Sequence, residues 1–303
     1  MVSHALPAKG GIHRASPAGA ADAHKHAAVP VVADARAALD ALDAALEGWR
    51  APEAWVKSAQ DRHADWNAAI EARVRPGNTL PTTYAQAVGA VNRAAQPGDV
   101  VVTAAGGLPG EINMNWRATG IHDVDVEYGY SCMGYEIAGG WGAKIADPER
   151  EVFVMVGDGS YLIMNSDILS SVMTGHKLIV VVCDNGGFAV IDRLQRATGN
   201  DSFNNLLSDC RRVREVQVDF AAHAAALGAI GLRVDSIADL EDALARARAT
   251  DRTTVITIAV DKYGWSPNTA WWEVGVPEVS ARPNVLAAAT RWHDGRAKQR
   301  RGI

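Results

Sequence analysis

The chain has 303 residues, 48% of them hydrophobic and 21% charged, with a net charge of −5. This is a globular composition sized for one to three domains, and its acidic balance excludes a surface built to track nucleic-acid phosphates. Apolar runs stop at strand length, which excludes a transmembrane helix, and the N-terminus carries no continuous apolar signal segment.

Residues 1–26 are rich in Ala, Gly, Pro and His without apolar periodicity and are expected to be irregular or disordered. His4, His13, His24 and His26 lack the Cys or carboxylate spacing of a metal site. Cys132, Cys183 and Cys210 fit neither a metal spacing nor a disulfide framework, so a reducing cytoplasm is the expected compartment. Residues 29–32 form a strand-like run. Asp34 is placed to cap the helix ARAALDALDAALEGW, with Leu39, Leu42 and Leu46 on one face. A second helix is expected over residues 52–73, with Trp49, Trp55 and Trp66 packing near its apolar face. These elements are too few for a domain. Residues 27–74 therefore read as the end of a central domain, whose earlier part is absent, plus linker helices.

Arg75-Pro76-Gly77-Asn78 is a linker, and a new domain is expected over residues 75–265, with a tail over 266–303. TTYAQAVGAVNRAA has helical amphipathicity, and Pro97-Gly98-Asp99 turns into a strand at residues 100–103. The following loop, residues 104–110, holds Gly106 and Gly107 at the strand's C-terminal end. It reads equally as a ligand edge or a plain loop. In YGYSCMGYEIAGGWGAKIA the small residues Gly134, Ala138, Gly139, Gly142 and Ala143 recur at helical spacing, which suits close packing on a sheet or a ligand.

The chain is organised around residues 151–188. An apolar run at residues 152–156 ends in Gly157-Asp158-Gly159. A second run, residues 178–183, ends in Asp184-Asn185-Gly186-Gly187, and the residues between suit a helix. In such a β-α-β unit both strand tips lie on the edge where open α/β sheets bind ligands. Asp158 and Asn185 each offer a side-chain oxygen. With one loop carbonyl they suit a small hard cation that keeps water and phosphate oxygens as its other ligands. The glycines allow close backbone approach, Ser160 adds a hydroxyl, and a helix after Gly159 would turn free N–H groups toward an anion. Each dipeptide alone is equally an ordinary turn; the pairing of two glycine-flanked oxygen ligands favours metal plus diphosphate.

Residues 189–214 are polar and irregular, as a lid or active-site border would be. Asp219 precedes the helix FAAHAAALG, which carries His223 and closes at Gly228; His223 is expected on the surface or in packing. Ser236 caps IADLEDALARARA, and residues 254–260 form the final strand. The whole reads as α/β, a doubly wound parallel sheet. In the tail, Trp271 and Trp272 are expected to pack, and GRAKQRRG is a solvated basic run.

The spacing from the GDG to Asn185 resembles that of the thiamine diphosphate-dependent enzymes. That resemblance implies a diphosphate-binding domain with Mg²⁺ on Asp158, Asn185 and the main-chain carbonyl of Gly187. It places Gly106, Gly107, Gly157, Gly159, Ser160 and Phe188 around the cofactor. It also makes Met133, before Gly134-Tyr135, the residue that supports the bent cofactor. Within the family, GGLPGE, YGYSCMGYEIAGGWGAK, DNGGF, GNDSFNN and WWEVGVPEVS resemble the enzymes that open a cyclic polyol dione, trihydroxycyclohexane-1,2-dione, to 5-deoxyglucuronate in myo-inositol breakdown. The resemblance covers about residues 27–303. It further implies a homo-oligomer, or a partner chain supplying the pyrimidine-binding domain with its activating Glu, for which no motif exists here. On that expectation the chain is an incomplete enzyme. An acetolactate synthase-like enzyme and a non-catalytic cofactor-binding fragment are the alternatives.

Overall fold

A computed structural model describes residues 29–78, 80–267 and 274–298. The four N-terminal histidines, Trp271 and Trp272 lie outside the described residues. The chain divides into two compact units, residues Asp65–Ala289 and the residues on either side of them.

Before Asp65, residues 29–32 form no regular strand; only Val31 makes a bridge. Asp34 caps helix α1 (Ala35–Ala45), its Oδ1 accepting from the N–H groups of Arg36 and Ala37. The expected apolar face is not buried: Ala38 is the one buried residue of α1, while Leu39 and Leu46 are exposed. Helix α2 (Glu53–Val74) follows. Trp55 on it and Trp49 before it are exposed rather than packed, whereas half-buried Trp66 lies under the Arg73 guanidinium, 4.9 Å from its centroid.

The larger unit is a six-stranded, all-parallel sheet in the order β2-β1-β3-β4-β6-β5. Its strands are β1 (Val100–Thr103), β2 (Val124–Val126), β3 (Val152–Gly157), β4 (Ile179–Asp184), β5 (Ile230–Val234) and β6 (Thr254–Ala259). Side chains alternate faces along a strand. Phe153 and Met155 of β3 therefore join one core, with helices α3 (Tyr84–Ala94), α4 (Leu108–Asn115) and α10 (Ile237–Arg248). Val152, Val154 and Val156 join the other, with α5 (Tyr135–Ala146), α6 (Asp158–Ile163), α7 (Asp167–Thr174) and α9 (Phe220–Ala226). Each fully buried valine contributes about 1.5–3 kcal/mol relative to exposure. Helices on both faces make the sheet doubly wound, as the β-α alternation predicts.

Local signals set most boundaries. Thr83 and Gln86 form a reciprocal capping box that starts α3. Asp219 and Ser236 cap α9 and α10. Gly140, among the small residues of α5, carries the close packing: a Cβ there would stand 2.4 Å from Val154 Cγ2 of the sheet.

Four expectations change. Residues 108–110 are helical, because Pro109 suits the first turn of α4. The segment between β3 and β4 is two helices, broken where Asn165 Nδ2 donates back to the Tyr161 carbonyl at 3.0 Å. Helix α6 starts at Asp158 itself, with Gly157 as N-cap, rather than after Gly159. Residues 189–197 form helix α8 (Ala189–Ala197), in which Ala189 and Asp192 are buried, so only the part after it is irregular. Strands β2 and β5 and the helix α11 (Pro283–Lys298) complete the described elements.

Candidate cofactor site

From β1 the chain moves outward to β2, then crosses back to β3 on the other side of β1. This is the switch point at which open α/β sheets form a ligand crevice. The Gly106-Gly107 loop leaves β1 and the GDG leaves β3, so the two glycine loops sit on neighbouring strand tips. β4 pairs with β3 in parallel register, Gly157 beside Cys183, and brings residues 184–187 to the same edge.

Three predicted residues meet there through hydrogen bonds. Asp158, buried at the first position of α6, accepts from Gly187 N–H at 2.7 Å through Oδ2 and from Asn185 N–H at 3.4 Å through Oδ1. The Asp184 carboxylate accepts from Gly186 N–H at 3.0 Å. Asn185 Nδ2 donates to the Tyr84 hydroxyl at 2.5 Å, while its buried Oδ1 has no hydrogen-bond partner. A buried amide oxygen left without a partner costs about 1–3 kcal/mol, so it is an open position for a cation.

Gly187 has φ of 140° and forms an antiparallel bridge with Leu206, Phe188 N–H donating to Asn205 O at 2.7 Å and Leu207 N–H to Gly186 O at 2.8 Å. The region after α8 thus returns to brace the tip of the site. The Phe188 ring lies against Gly159, where a Cβ would stand 2.5 Å from it, and stays 39% exposed. Ser160 is buried, Met133 is partly exposed, and Gly106 has φ of 84° with open space around it. At Gly107 the space is filled from within the protein: a Cβ would stand 2.0 Å from the Trp265 ring.

Burial, with the neighbouring Asp184 charge second, raises the Asp158 carboxyl to about 7. The metal-free fold thus holds a proton that the unfolded chain releases near its ordinary value of 3.8. The stabilisation from this group is complete below that value and is lost as pH rises through about 7. In chelator-treated protein, denaturant unfolding from pH 4 to 7 should show wild type losing stability relative to Asp158→Asn. Parallel pH profiles would refute the shift. Burial also holds Cys183 as a thiol, pushing it up to about 12, which removes it as a nucleophile.

Sequence reasoning did not single out Tyr84, Glu111, Glu136, Trp265 or Ser266. Glu136 is fully buried and ties two loops together, accepting from Ala105 N–H at 3.3 Å and Gly134 N–H at 2.8 Å. A charged residue inside a helix of small and apolar residues was its available signal. Glu111 accepts from the N–H and hydroxyl of Ser266 at 2.9 and 2.7 Å. Tyr84 and Trp265 carry no local signal, since each acts through residues far away in sequence.

Among the described residues no group of three His, Cys, Asp or Glu side chains is placed to hold a metal ion. The donor set of one carboxylate, one carboxamide and a loop carbonyl fits a hard cation that shares its remaining positions with phosphate and water, not a structural transition metal. No described helix is long and apolar enough to cross a membrane.

Comparison with known proteins identifies the domain. The family model described as thiamine pyrophosphate enzyme, C-terminal TPP binding domain, matches residues 105–258. The chain is 34% identical, over 88% of its length, to 3D-(3,5/4)-trihydroxycyclohexane-1,2-dione hydrolase 2 of Bacillus cereus. The same identity and coverage hold for the trihydroxycyclohexane-1,2-dione hydrolase of Halalkalibacterium halodurans. A second Bacillus cereus relative, from another strain, is 38% identical over 68% of this chain. The chain spans 46% of the length of the first two relatives. Residues 105–258 cover β2 to β5, all but the last residue of β6, most of the loop leaving β1, and Asp158 and Asn185, and on that match the chain belongs to the thiamine pyrophosphate (thiamine diphosphate) enzymes and carries their C-terminal TPP-binding domain.

Proposed function

We propose that this chain supplies the diphosphate- and Mg²⁺-binding part of an enzyme that hydrolyses a C–C bond of a cyclic 1,2-dione. The substrate is trihydroxycyclohexane-1,2-dione, opened to 5-deoxyglucuronate in the cytoplasmic breakdown of myo-inositol. The observation that carries the cation is the unpartnered, buried Oδ1 of Asn185, a residue whose backbone N–H donates to the Asp158 carboxylate. The substrate class rests on the named relatives.

In this reading Asp158, Asn185 Oδ1 and the Gly187 carbonyl hold Mg²⁺, which anchors the diphosphate. Thiamine diphosphate, when bound, supplies a carbanion for attack on a carbonyl and an electron sink for the adjacent C–C bond. The chain's own residues orient and enclose. The backbone N–H groups of Asn185 and Gly187 hold the Asp158 carboxylate in place, so its charge needs little reorganisation when the cation arrives. Gly106 leaves its strand tip open, and Met133 and Phe188 offer apolar surface that keeps water from the reacting centre. Gly157, Gly159 and Ser160 line the same edge. The acid that activates the aminopyrimidine comes from a pyrimidine-binding domain outside these residues.

The test is the purified chain with thiamine diphosphate, Mg²⁺ and the dione. Cation-dependent cofactor binding without ring opening is expected, with ring opening once the N-terminal half of a relative is added. Turnover by the chain alone would place the activating acid within these residues. Consumption of pyruvate in place of the dione, in the complemented sample, would overturn the substrate assignment.

A further inference from the structure

Asn185 poses a problem that Asp158 does not. A carboxylate presents oxygen whichever way it turns. A carboxamide turned by half a revolution presents NH₂, which no cation accepts. Since Oδ1 has no hydrogen-bond partner, nothing on the oxygen side sets the rotation. The nitrogen side is held by one group, the Tyr84 hydroxyl, at 2.5 Å from Nδ2.

Tyr84 is itself immobilised. It is the first residue of α3 and is 2% exposed. Its ring stacks on Trp265 with centroids 4.7 Å apart and planes at 15°. Trp265 also carries the Arg193 guanidinium, 5.2 Å from the ring centroid. Next to it in sequence, Ser266 is clasped by the buried Glu111 through two hydrogen bonds. Gly107 leaves room for the indole. A stack built from α3, the segment after β6 and the β1 loop therefore ends in one hydroxyl, aimed at one amide nitrogen.

We propose that Tyr84 is a positioning residue for the cation, holding the Asn185 carboxamide with Oδ1 toward the metal. The Tyr84 hydroxyl can donate or accept, but with a cation on Oδ1 only its acceptor role at Nδ2 leaves both ends of the amide satisfied. This rests on the reading of Asn185 as a cation ligand. Losing a partner of this outer kind typically weakens metal binding by about 10–100-fold.

The probe is Mn²⁺, titrated into the purified chain with thiamine diphosphate and followed by the paramagnetic resonance signal of the free ion. Tyr84→Phe keeps the ring stack and is expected to weaken Mn²⁺ binding roughly tenfold in the folded protein. In an Asn185→Asp background both ends are oxygen, orientation no longer matters, and the same change is expected to alter affinity by less than about threefold. An equal loss in both backgrounds would make Tyr84 merely structural and overturn the proposal. Wild-type affinity in Tyr84→Phe would overturn it too, while the cation reading stood if Asp158→Ala had lost binding. Retention of Mn²⁺ by Asp158→Ala would remove the cation reading and this inference with it. Without any substitution, one Nδ2 proton of Asn185 should exchange slowly by NMR; fast exchange of both would again overturn the proposal.

Discussion

Asp158→Ala is expected to abolish Mg²⁺-dependent binding of thiamine diphosphate. Loss of a metal ligand's outer partner alone typically costs about 10–100-fold, so loss of the one carboxylate among the proposed ligands should exceed roughly 100-fold. Two effects combine. The substitution removes the negative charge that offsets the cation. It also frees the N–H groups of Asn185 and Gly187, which Asp158 holds at 3.4 and 2.7 Å. Asp158→Asn separates them, because the amide oxygen can still accept one of these bonds while the charge is gone. Calorimetric titration with and without Mg²⁺ distinguishes the outcomes. Cofactor affinity within about threefold of wild type, still dependent on Mg²⁺, would mean that the cation sits elsewhere.

Gly187→Ala is expected to destabilise the domain by about 2–5 kcal/mol, the sum of a strained backbone and an overpacked contact. The φ of 140° is a region that residues with a side chain rarely adopt. The added Cβ would stand 2.5 Å from Asn205 O and 3.0 Å from Leu206 Cα, both backbone atoms of the bridging segment. A flexible side chain could move aside; this backbone is tied by the two bridge hydrogen bonds. Since Gly187 also offers its carbonyl to the proposed cation, Mg²⁺-dependent cofactor binding should fall in the folded fraction as well. Denaturant unfolding of the metal-free protein measures the first effect. A loss below about 0.5 kcal/mol, the range of neutral surface changes, would show that the bridge yields easily.

The fold was legible wherever a local rule had no competitor. Apolar runs bounded by turn residues located β1, β3, β4 and β6, because a strand buried on both faces needs a short continuous apolar stretch. The caps at Asp34, Asp219 and Ser236 lie where a polar side chain meets unpaired N–H groups. β2 and β5 were harder to see. β2 has three half-buried residues, and β5 is half-buried over most of its length, so their composition is mixed. α8 was hidden because its polar residues, Asp192 among them, suggested a loop, although Asp192 is buried. The exposure of Leu39, Trp49 and Trp55 went against apolar patterning for a different reason: a pattern shows which face is apolar, not whether anything covers it.

The sequence by itself determined the parallel α/β class and the placing of Asp158 and Asn185, the proposed oxygen ligands, on neighbouring strand tips. Both follow from residue type at short range: β-α alternation forces parallel crossovers, and glycine-flanked strand ends expose their polar side chains on one edge. Only the tertiary structure decided what surrounds those ligands. Tyr84 and Trp265 come from opposite ends of the domain, yet their rings stack, and the Tyr84 hydroxyl reaches Asn185 at the tip of β4. The orientation of an amide, the burial that raises the Asp158 carboxyl, and the unpartnered Oδ1 are properties of neighbours distant in sequence. No window along the chain contains them, because they arise when packing removes water and replaces it with chosen partners.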